Sequence, residues 1–407
     1  MAMNIKSLIG LLASAMVGMA YTSCQDAERE TIDNLVYINE AATAKSVDVA
    51  LQSTGTTHAV LTVRMAKAVD RDITVNLTVD RNLLEAYNTK NESKFKLPAE
   101  KDFAFTAQTV IKAGDVTARP VTVDIQEFKP EPGVQYAIPL RIASVTGHVE
   151  QSESSSSIVL TLTSPLKQFA PKLTWRNGIR LAPVDDWNLS LPNYTLEWWS
   201  RVTSMYGNGG YTKNNQAIFN SGSVNTEFYV RFGDLIYYSP KEGRYVNNFL
   251  QMKTFGSQFD TGNPAEGKGL TAGEWIHFAI TYNAETGTTL LYRDGEVVST
   301  LKTQAGQPMQ ISKFQLISSG QEYFPDYCEL AQVRFWKVTR SGNQIKKFMK
   351  SEVEYTHPDL IFYLPMNEGQ GSEMKDVSGN GHHAVAGSLQ TGYSKDITWK
   401  EYTFGKN

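Results

Sequence analysis

The sequence predicts an all-β protein built from two sandwich domains, on three observations. Apolar and polar residues alternate with a period of two along most of the 407 residues. Helical periodicity is confined to two short stretches, and Asn, Asp and Gly turn signals separate the alternating runs. Hydrophobic residues make up 41 % and aromatics 11 %, enough for real cores. The 19 Tyr and 7 Trp beside 18 Phe favour extended, partly exposed aromatic surfaces. A net charge of −3 and a pI near 6.1 show no basic excess, which argues against a nucleic-acid partner.

At the N-terminus, "MAMNIKSLIGLLASAMVGMAYTSCQDAERE" carries one positive charge, Lys6, and then an apolar stretch from Leu8 to Ala20. Small Thr22 and Ser23 follow, ahead of Cys24. This pattern predicts an export signal over 1–23, too short for a spanning helix of about 20 residues. The cysteine after small residues resembles a bacterial lipoprotein box, which implies lipidation of Cys24. Tyr21 stands where such boxes usually carry an aliphatic. Residues 24–34 form an acidic tether through Asp26, Glu28 and Glu30. They resemble the surface-export signal of lipoproteins in glycan-foraging Gram-negative gut bacteria. The alternative is a plain secretory signal with an incidental cysteine. With Cys24 lipidated, Cys328 has no partner, so no disulfide framework is expected, and Cys328 reads as a buried small hydrophobe.

From 35 to 164, "AVLTVRM", "DITVNLTVD", "RPVTVDIQ", "YAIPLRIASV" and "SIVLTLTS" alternate as half-buried antiparallel strands do. The stretch "DRNLLEAYNTKN" breaks the pattern. Asp80 or Asn82 can cap a helix there, with Leu83, Leu84 and Tyr87 on one side. Residues 165–173, with Pro165 and Pro171, read as a semi-rigid linker. The runs "DITVNLTVDRNLLEAYN", "TVIKAGDVTARPVTVDI" and "PGVQYAIPLRIASVTGHVEQSESSSSIVLTL" resemble a domain that directly follows the lipid anchor in surface lipoproteins of glycan-uptake systems. In some relatives a chitinase-like endoglycosidase follows it, in others a non-catalytic binding domain. The resemblance implies a spacer that carries no active-site residues.

The stretch 174–407 is also two-periodic but richer in aromatics and Gly. In "GEWIHFAITYNAETGTTLLYRDGEVVSTL", Asn283–Gly287 makes one turn, and Asp294 with Gly295 supplies a two-residue hairpin needing positive φ. "TRSGNQIKKFMKSEV" predicts a short helix, with Ser341 as N-cap and Ile345, Phe348 and Met349 as its buried stripe. With "YTLEWWSRV", "AIFNSG", "AQVRFWKVTRSGNQI" and "IFYLPMNEGQGSEMKDVSGNGHH", this region resembles the laminin-G-like, concanavalin A-like jelly roll. The resemblance implies fold; the same sandwich serves lectins, adhesion modules and some glycosidases.

Catalytic patterns are absent. A glycosidase of this fold needs two carboxylates close together, typically as Glu-x-Asp-x-x-Glu, and 174–407 contains no such run. "PVDDWNL" and "KSEVEY" read as solvated acidic clusters. There is no Gly-x-Ser-x-Gly and no His-Glu-x-x-His, and six histidines, two adjacent at His382 and His383, give no zinc spacing. No cofactor is required on this reading, and the chain is expected not to be an enzyme. In "DVSGNGHH", Asp376, Ser378 and Asn380 could hold calcium through hard oxygens, with Asp376 and Asn380 as side-chain ligands. An Asx-type turn is the alternative.

Strand parity supplies candidate binding residues. In "YTLEWWSRV", Tyr194, Leu196, Trp198, Ser200 and Val202 share the core face, leaving Thr195, Glu197, Trp199 and Arg201 outside. "TEFYVRFG" likewise puts Glu227, Tyr229 and Arg231 outward, and "QVRFWKV" puts Arg334 and Trp336 outward. Aromatics beside Arg and Glu suit a sugar, whose C–H faces stack on rings and whose hydroxyls take charged partners. Packing beneath a loop or the other domain is the alternative. A second candidate is a loop rim at 204–216 and 233–249, exposing Tyr206, Tyr211, Tyr237, Tyr238 and Tyr245 beside Asn and Gly.

The expectation is a lipid-anchored glycan-binding protein of the cell outer membrane, with the Cys24 lipid in the bilayer. It would capture an oligosaccharide for a neighbouring endoglycosidase and importer, many copies supplying avidity. An N-glycan ligand is expected only by analogy with the endoglycosidase-bearing relatives. A divergent glycosidase and a protein-binding adhesion or assembly module are the alternatives.

Overall fold

A computed structural model describes residues 34–404 apart from 53, 92, 128–130, 132, 165, 184–186, 206–208 and 222–226. The signal segment, Cys24, the acidic tether and Tyr206 therefore lie outside the described residues. Among the described residues no helix is long and apolar enough to cross a membrane.

The alternating runs of the first domain become a five-stranded sheet and a three-stranded sheet. In the five-stranded sheet the order is Ser46–Ala50, Ser157–Thr163, Tyr136–Val145, Ile73–Val79 and Gln108–Ile111. In the other, Val121–Ile125 lies between Thr57–Leu61 and Phe103–Phe105. Their inward residues, among them Leu61, Ile73, Val75, Val123, Ile138 and Leu140, form one buried core. The Arg81–Asn91 helix starts where Asp80 accepts hydrogen bonds from the Asn82 and Leu83 N–H groups, at 3.0 and 3.3 Å. Its apolar side serves a different purpose from the domain core. Leu83, Leu84 and Tyr87 pack with Phe95 against Trp336, Phe348 and Leu360 of the second domain.

The second domain is a sandwich of an eight-stranded and a six-stranded sheet. The larger runs Glu296–Lys302, Thr288–Arg293, Ile276–Asn283, Asn193–Thr203, Tyr327–Trp336, Lys167–Leu173 and Thr398–Thr403, with Leu360–Leu364 also paired to Tyr327–Trp336. The smaller runs Ile179–Arg180, Gln315–Leu316, Gln216–Ser221, Phe228–Phe232, Leu250–Thr254 and Ser257–Asp260. Between them lies an aromatic core containing Tyr194, Trp198, Phe219, Phe228, Phe278, Phe314 and Phe335, with Cys328 buried among them. The hairpin at Asp294 and Gly295 has φ of 51° and 83°, as a two-residue turn of this type demands.

One expected boundary changes. Residues 167–173 are a strand rather than a linker, pairing with Thr398–Thr403 and Tyr327–Trp336, with Ala170 and Leu173 fully buried. Pro171 is tolerated because it has a registered partner on one side only, Trp399.

Candidate functional site

The two outer faces of this sandwich differ, and the difference decides which predicted residues can meet a ligand. On the eight-stranded sheet the predicted parity holds: Tyr194, Leu196, Trp198 and Val202 are in the inter-sheet core. The opposite side, however, is roofed. The Gly342–Phe348 helix, capped by Ser341 through a capping box with Gln344, lies over it, and the first domain packs against the same region. Trp199 is only 4 % exposed; it packs with Met349 and Phe404 and donates its indole N–H to the Met349 carbonyl at 2.8 Å. Glu197 is fully buried and accepts from Trp336 at 2.7 Å and from Arg340 at 2.5 Å. Trp336, buried, has the Arg340 guanidinium 4.3 Å above its ring. Arg201 donates to the Gly273 carbonyl at 2.6 Å and pairs with buried Glu329 at 2.7 Å. The sugar platform expected from Trp199, Glu197, Arg201 and Trp336 is thus corrected: these side chains hold the roof on.

Electrostatics follow from that closure. Burial pushes the Glu197 carboxyl up, but Arg340, Arg334, His277 and the Trp336 N–H together bring it below its ordinary value. Burial pulls the His277 imidazole down to about 3, so the ring is neutral.

The outer face of the six-stranded sheet is built differently. Its register sets one outward residue from every strand in a single row: Arg180, Gln315, Asn220, Tyr229, Lys253 and Gln258. Five strand spacings make this row about 24 Å long. A second, parallel row runs Arg231, Gln251, Asp260. Inward neighbours Phe228, Val230, Phe232, Leu250 and Met252 anchor the strands in the core. Tyr229 is half-buried and donates its hydroxyl to Asn215 at 2.8 Å. Arg231 donates to the same Asn215 oxygen at 2.9 Å, to Gln251 at 2.9 Å, and pairs with Asp234. Asn215 sits at φ 60°, a left-handed conformation that Asn tolerates. Lys253 lies 3.6 Å from Glu227.

The 233–249 loop joins Phe228–Phe232 to Leu250–Thr254 and rises from the sheet at the strand ends next to Arg231 and Gln251. It leaves through Gly233, at φ +69°, where an added Cβ would come 2.8 Å from the Asn247 Cβ. Tyr238 and Tyr245 form an edge-on pair on the loop's own hairpin, ring centres 5.5 Å apart, and are 54 % and 44 % exposed. Leu235 and Ile236 beside them are exposed as well. Tyr237 points the other way, donating to Asp260 at 3.0 Å and stacking edge-on against Phe249. Burial, with Asp260 beside Tyr237, raises the phenols of Tyr229 and Tyr237 to about 12, so both stay protonated donors. Of the other loop candidates, Tyr211 is 5 % exposed and packs on Phe232, so it is a core residue.

The predicted calcium loop is closed by its own hydrogen bonds. Asp376, 6 % exposed, accepts from the Tyr363, Ser378 and His382 N–H groups at 2.9, 3.0 and 2.9 Å. The Asn380 amide donates to the Leu360 and Ile361 carbonyls at 2.9 and 3.1 Å. Asp376 and Asn380 therefore act as an Asx-type turn. Among the described residues no group of three or more His, Cys, Asp or Glu could hold a metal ion. A cleft of about 640 Å³ lies at the domain seam between Lys94, Gln135, Trp336, Arg340, Glu354 and His357. Its polar groups are spent on the seam itself: Lys94 pairs with Glu354 at 2.8 Å, and Gln135 donates to Ser351 and Glu352.

Sequence reading singled out Tyr229, Arg231 and Tyr237 but missed Asn215, Asn220, Gln251, Asp260 and Gln315. Alternation marks outward residues strand by strand. Only register shows that they line up.

Comparison with known proteins bears on the fold. A family model of an N-terminal domain matches residues 32–149, and one for the concanavalin A-like lectin/glucanases superfamily matches residues 177–346. No curated protein matches the chain. The structure is similar to that of a candidate carbohydrate-binding protein from Bacteroides ovatus, at 19 % identity and a TM-score of 0.53, covering 90 % of this chain and 97 % of that one. Looser overlaps occur with a two-domain protein from Bacteroides fragilis (12 % identity, TM-score 0.28, 81 % of this chain and 99 % of that one) and with Bacteroides thetaiotamicron EndoBT-3987 (18 %, 0.27, 32 % and 30 %). The chain is an all-β protein whose second domain has the concanavalin A-like jelly-roll fold.

Proposed function

We propose that this protein is a non-catalytic glycan-binding protein that captures an oligosaccharide on the outer face of its six-stranded sheet. The observation that carries the reading is the six-residue polar row, one side chain per strand, on the sheet whose 233–249 loop carries the exposed Tyr238–Tyr245 hairpin. An extended sugar chain presents hydroxyls at regular intervals along its length. Arg180, Asn220, Tyr229, Lys253 and Gln258, set in steps of about 4.8 Å with buried Gln315 between the first two, can meet them along the row, while the two tyrosines offer ring faces and edges for stacking. Likeness to the Bacteroides ovatus protein supports the same fold, and with it a binding role. Capture without hydrolysis fits because the nearby acids are committed: Asp260 to Tyr237, Asp234 to Arg231 and Glu227 to Lys253.

In the full proposal, Cys24 carries lipid, the protein stands on the outer membrane, and the first domain holds the sandwich clear of it. The captured glycan passes to a neighbouring endoglycosidase and importer; an N-glycan is the class suggested by the relatives of the first domain. A glycan array with the purified protein should give hits, and calorimetry on Tyr229→Ala and Tyr238→Ala should then show weakened binding of the best one. Unchanged affinity in both variants would remove this face as the site. Release of new reducing ends from a bound glycan would favour a glycosidase instead. Palmitate labelling of Cys24 in cells tests the anchor independently.

A further inference from the structure

The cations of the six-stranded face are not equivalent. Arg231 has Asp234 as counter-ion and Lys253 has Glu227. Arg180, at the far end of the row, has no ion pair among the described residues, and its Nε is buried without a hydrogen-bond partner. Its registered neighbour is the neutral amide Gln315, which in turn lies opposite Asn220. The backbone of Arg180 is pinned from both sides by one hydroxyl. Ser388 Oγ accepts from the Arg180 N–H at 2.9 Å and donates to the Arg180 carbonyl at 3.2 Å. The Arg180 backbone is thus fixed, and among the described residues its guanidinium has no anion. The Nε itself is closed off, so an anion from outside would meet the terminal nitrogens of this half-buried side chain.

We infer that Arg180 forms an anion subsite, so that the captured oligosaccharide carries an acidic group, a sugar carboxylate or a sulfate ester, at the end remote from the tyrosine hairpin. This rests on the glycan-binding reading above and adds a substrate class to it. Three strand spacings, about 14 Å, separate Arg180 from Tyr229, so the acidic residue sits several sugar units from the one against the phenol. Planar two-point recognition suits both oxyanions.

The test uses three tetrasaccharide probes on the full chain: a neutral mannotetraose, a carboxylate-bearing tetragalacturonate and a sulfated heparin-derived fragment. At least one acidic probe should bind tenfold or more tighter than the neutral one, and the winning probe tells carboxylate from sulfate. Arg180→Gln should abolish that advantage, so that on the variant the acidic probe binds no tighter than the neutral one. Arg180→Lys should keep part of it, and raising the salt should shrink it in the wild type. Neutral binding with no acidic preference, or a preference untouched by Arg180→Gln, overturns the subsite and leaves the glycan-binding reading standing. Failure of all three probes to bind would count against both.

Discussion

The two outer faces of the jelly roll begin from the same kind of sequence and end in opposite states. Both carry aromatics, arginines and acids at outward strand positions. On the eight-stranded sheet a short helix and the first domain cover those residues, and their charges neutralise one another inside: Glu197 with Arg340, Arg201 with Glu329. On the six-stranded sheet Arg231 and Gln251 are buried too, but Arg180, Asn220, Tyr229 and Lys253 remain half-buried, and the loop from the same sheet carries a hairpin of exposed tyrosines. The lesson is that an outward aromatic beside an arginine is a packing element where a helix or a second domain roofs it, as at Trp199 and Trp336, and stays partly open where they do not, as at Tyr229.

Mutations on the two faces should therefore separate stability from binding, and the largest effects belong to the roofed one. Arg340→Met leaves the Glu197 carboxylate buried without its counter-ion, and should cost about 3–5 kcal/mol of stability. Trp199→Ala should cost a similar ~3–5 kcal/mol by opening a cavity beneath the helix. Chemical denaturation measures both. A midpoint within error of wild type for either would mean the roof does not depend on these contacts.

Acid should weaken the same face. The folded His277 titrates near 3 against an ordinary 6.5, so the unfolded chain takes up its proton first. Stability then falls as pH drops from 6.5 towards 3, and Glu197, whose carboxyl is lowered, adds a loss at the acidic end. Thermal midpoints across that range should decline, and His277→Asn should flatten the upper part of the decline. A flat wild-type profile would contradict the assignment.

A smaller effect belongs to the domain seam. The Lys347 ammonium sits 4.6 Å from the Tyr87 ring and 4.9 Å from the Phe95 ring of the first domain. Lys347→Ala should loosen the domains by about 1 kcal/mol, seen as faster limited proteolysis between them. The smallest stability effect should come from Tyr238→Ala or Tyr245→Ala: within ~0.5 kcal/mol of wild type, because the rings are exposed. Their effect should appear in glycan affinity alone. A variant on this hairpin that unfolded the protein would erase the contrast between the faces.

Much of this architecture was legible in the residues. Tyr194, Leu196 and Trp198 are buried where alternation puts them, the helix over the large sheet begins at Ser341, and Asp294 with Gly295 makes its hairpin. Each depends on neighbours within a few positions. The site was only partly legible: Tyr229 and Arg231 stood out as outward residues, but Asn215 and Gln251, which hold Arg231, become its partners only through strand pairing.

By itself the sequence determined which side of a strand its residues occupy between bulges such as the one at Gln332, φ 54°, since backbone pleating is a local property with a period of two. Whether that side faces water was decided only by tertiary structure. Covering a sheet takes segments far apart in the chain: Met349 and Phe404 over Trp199, and the first domain against Trp336. No periodicity within one strand encodes what will come to rest on top of it.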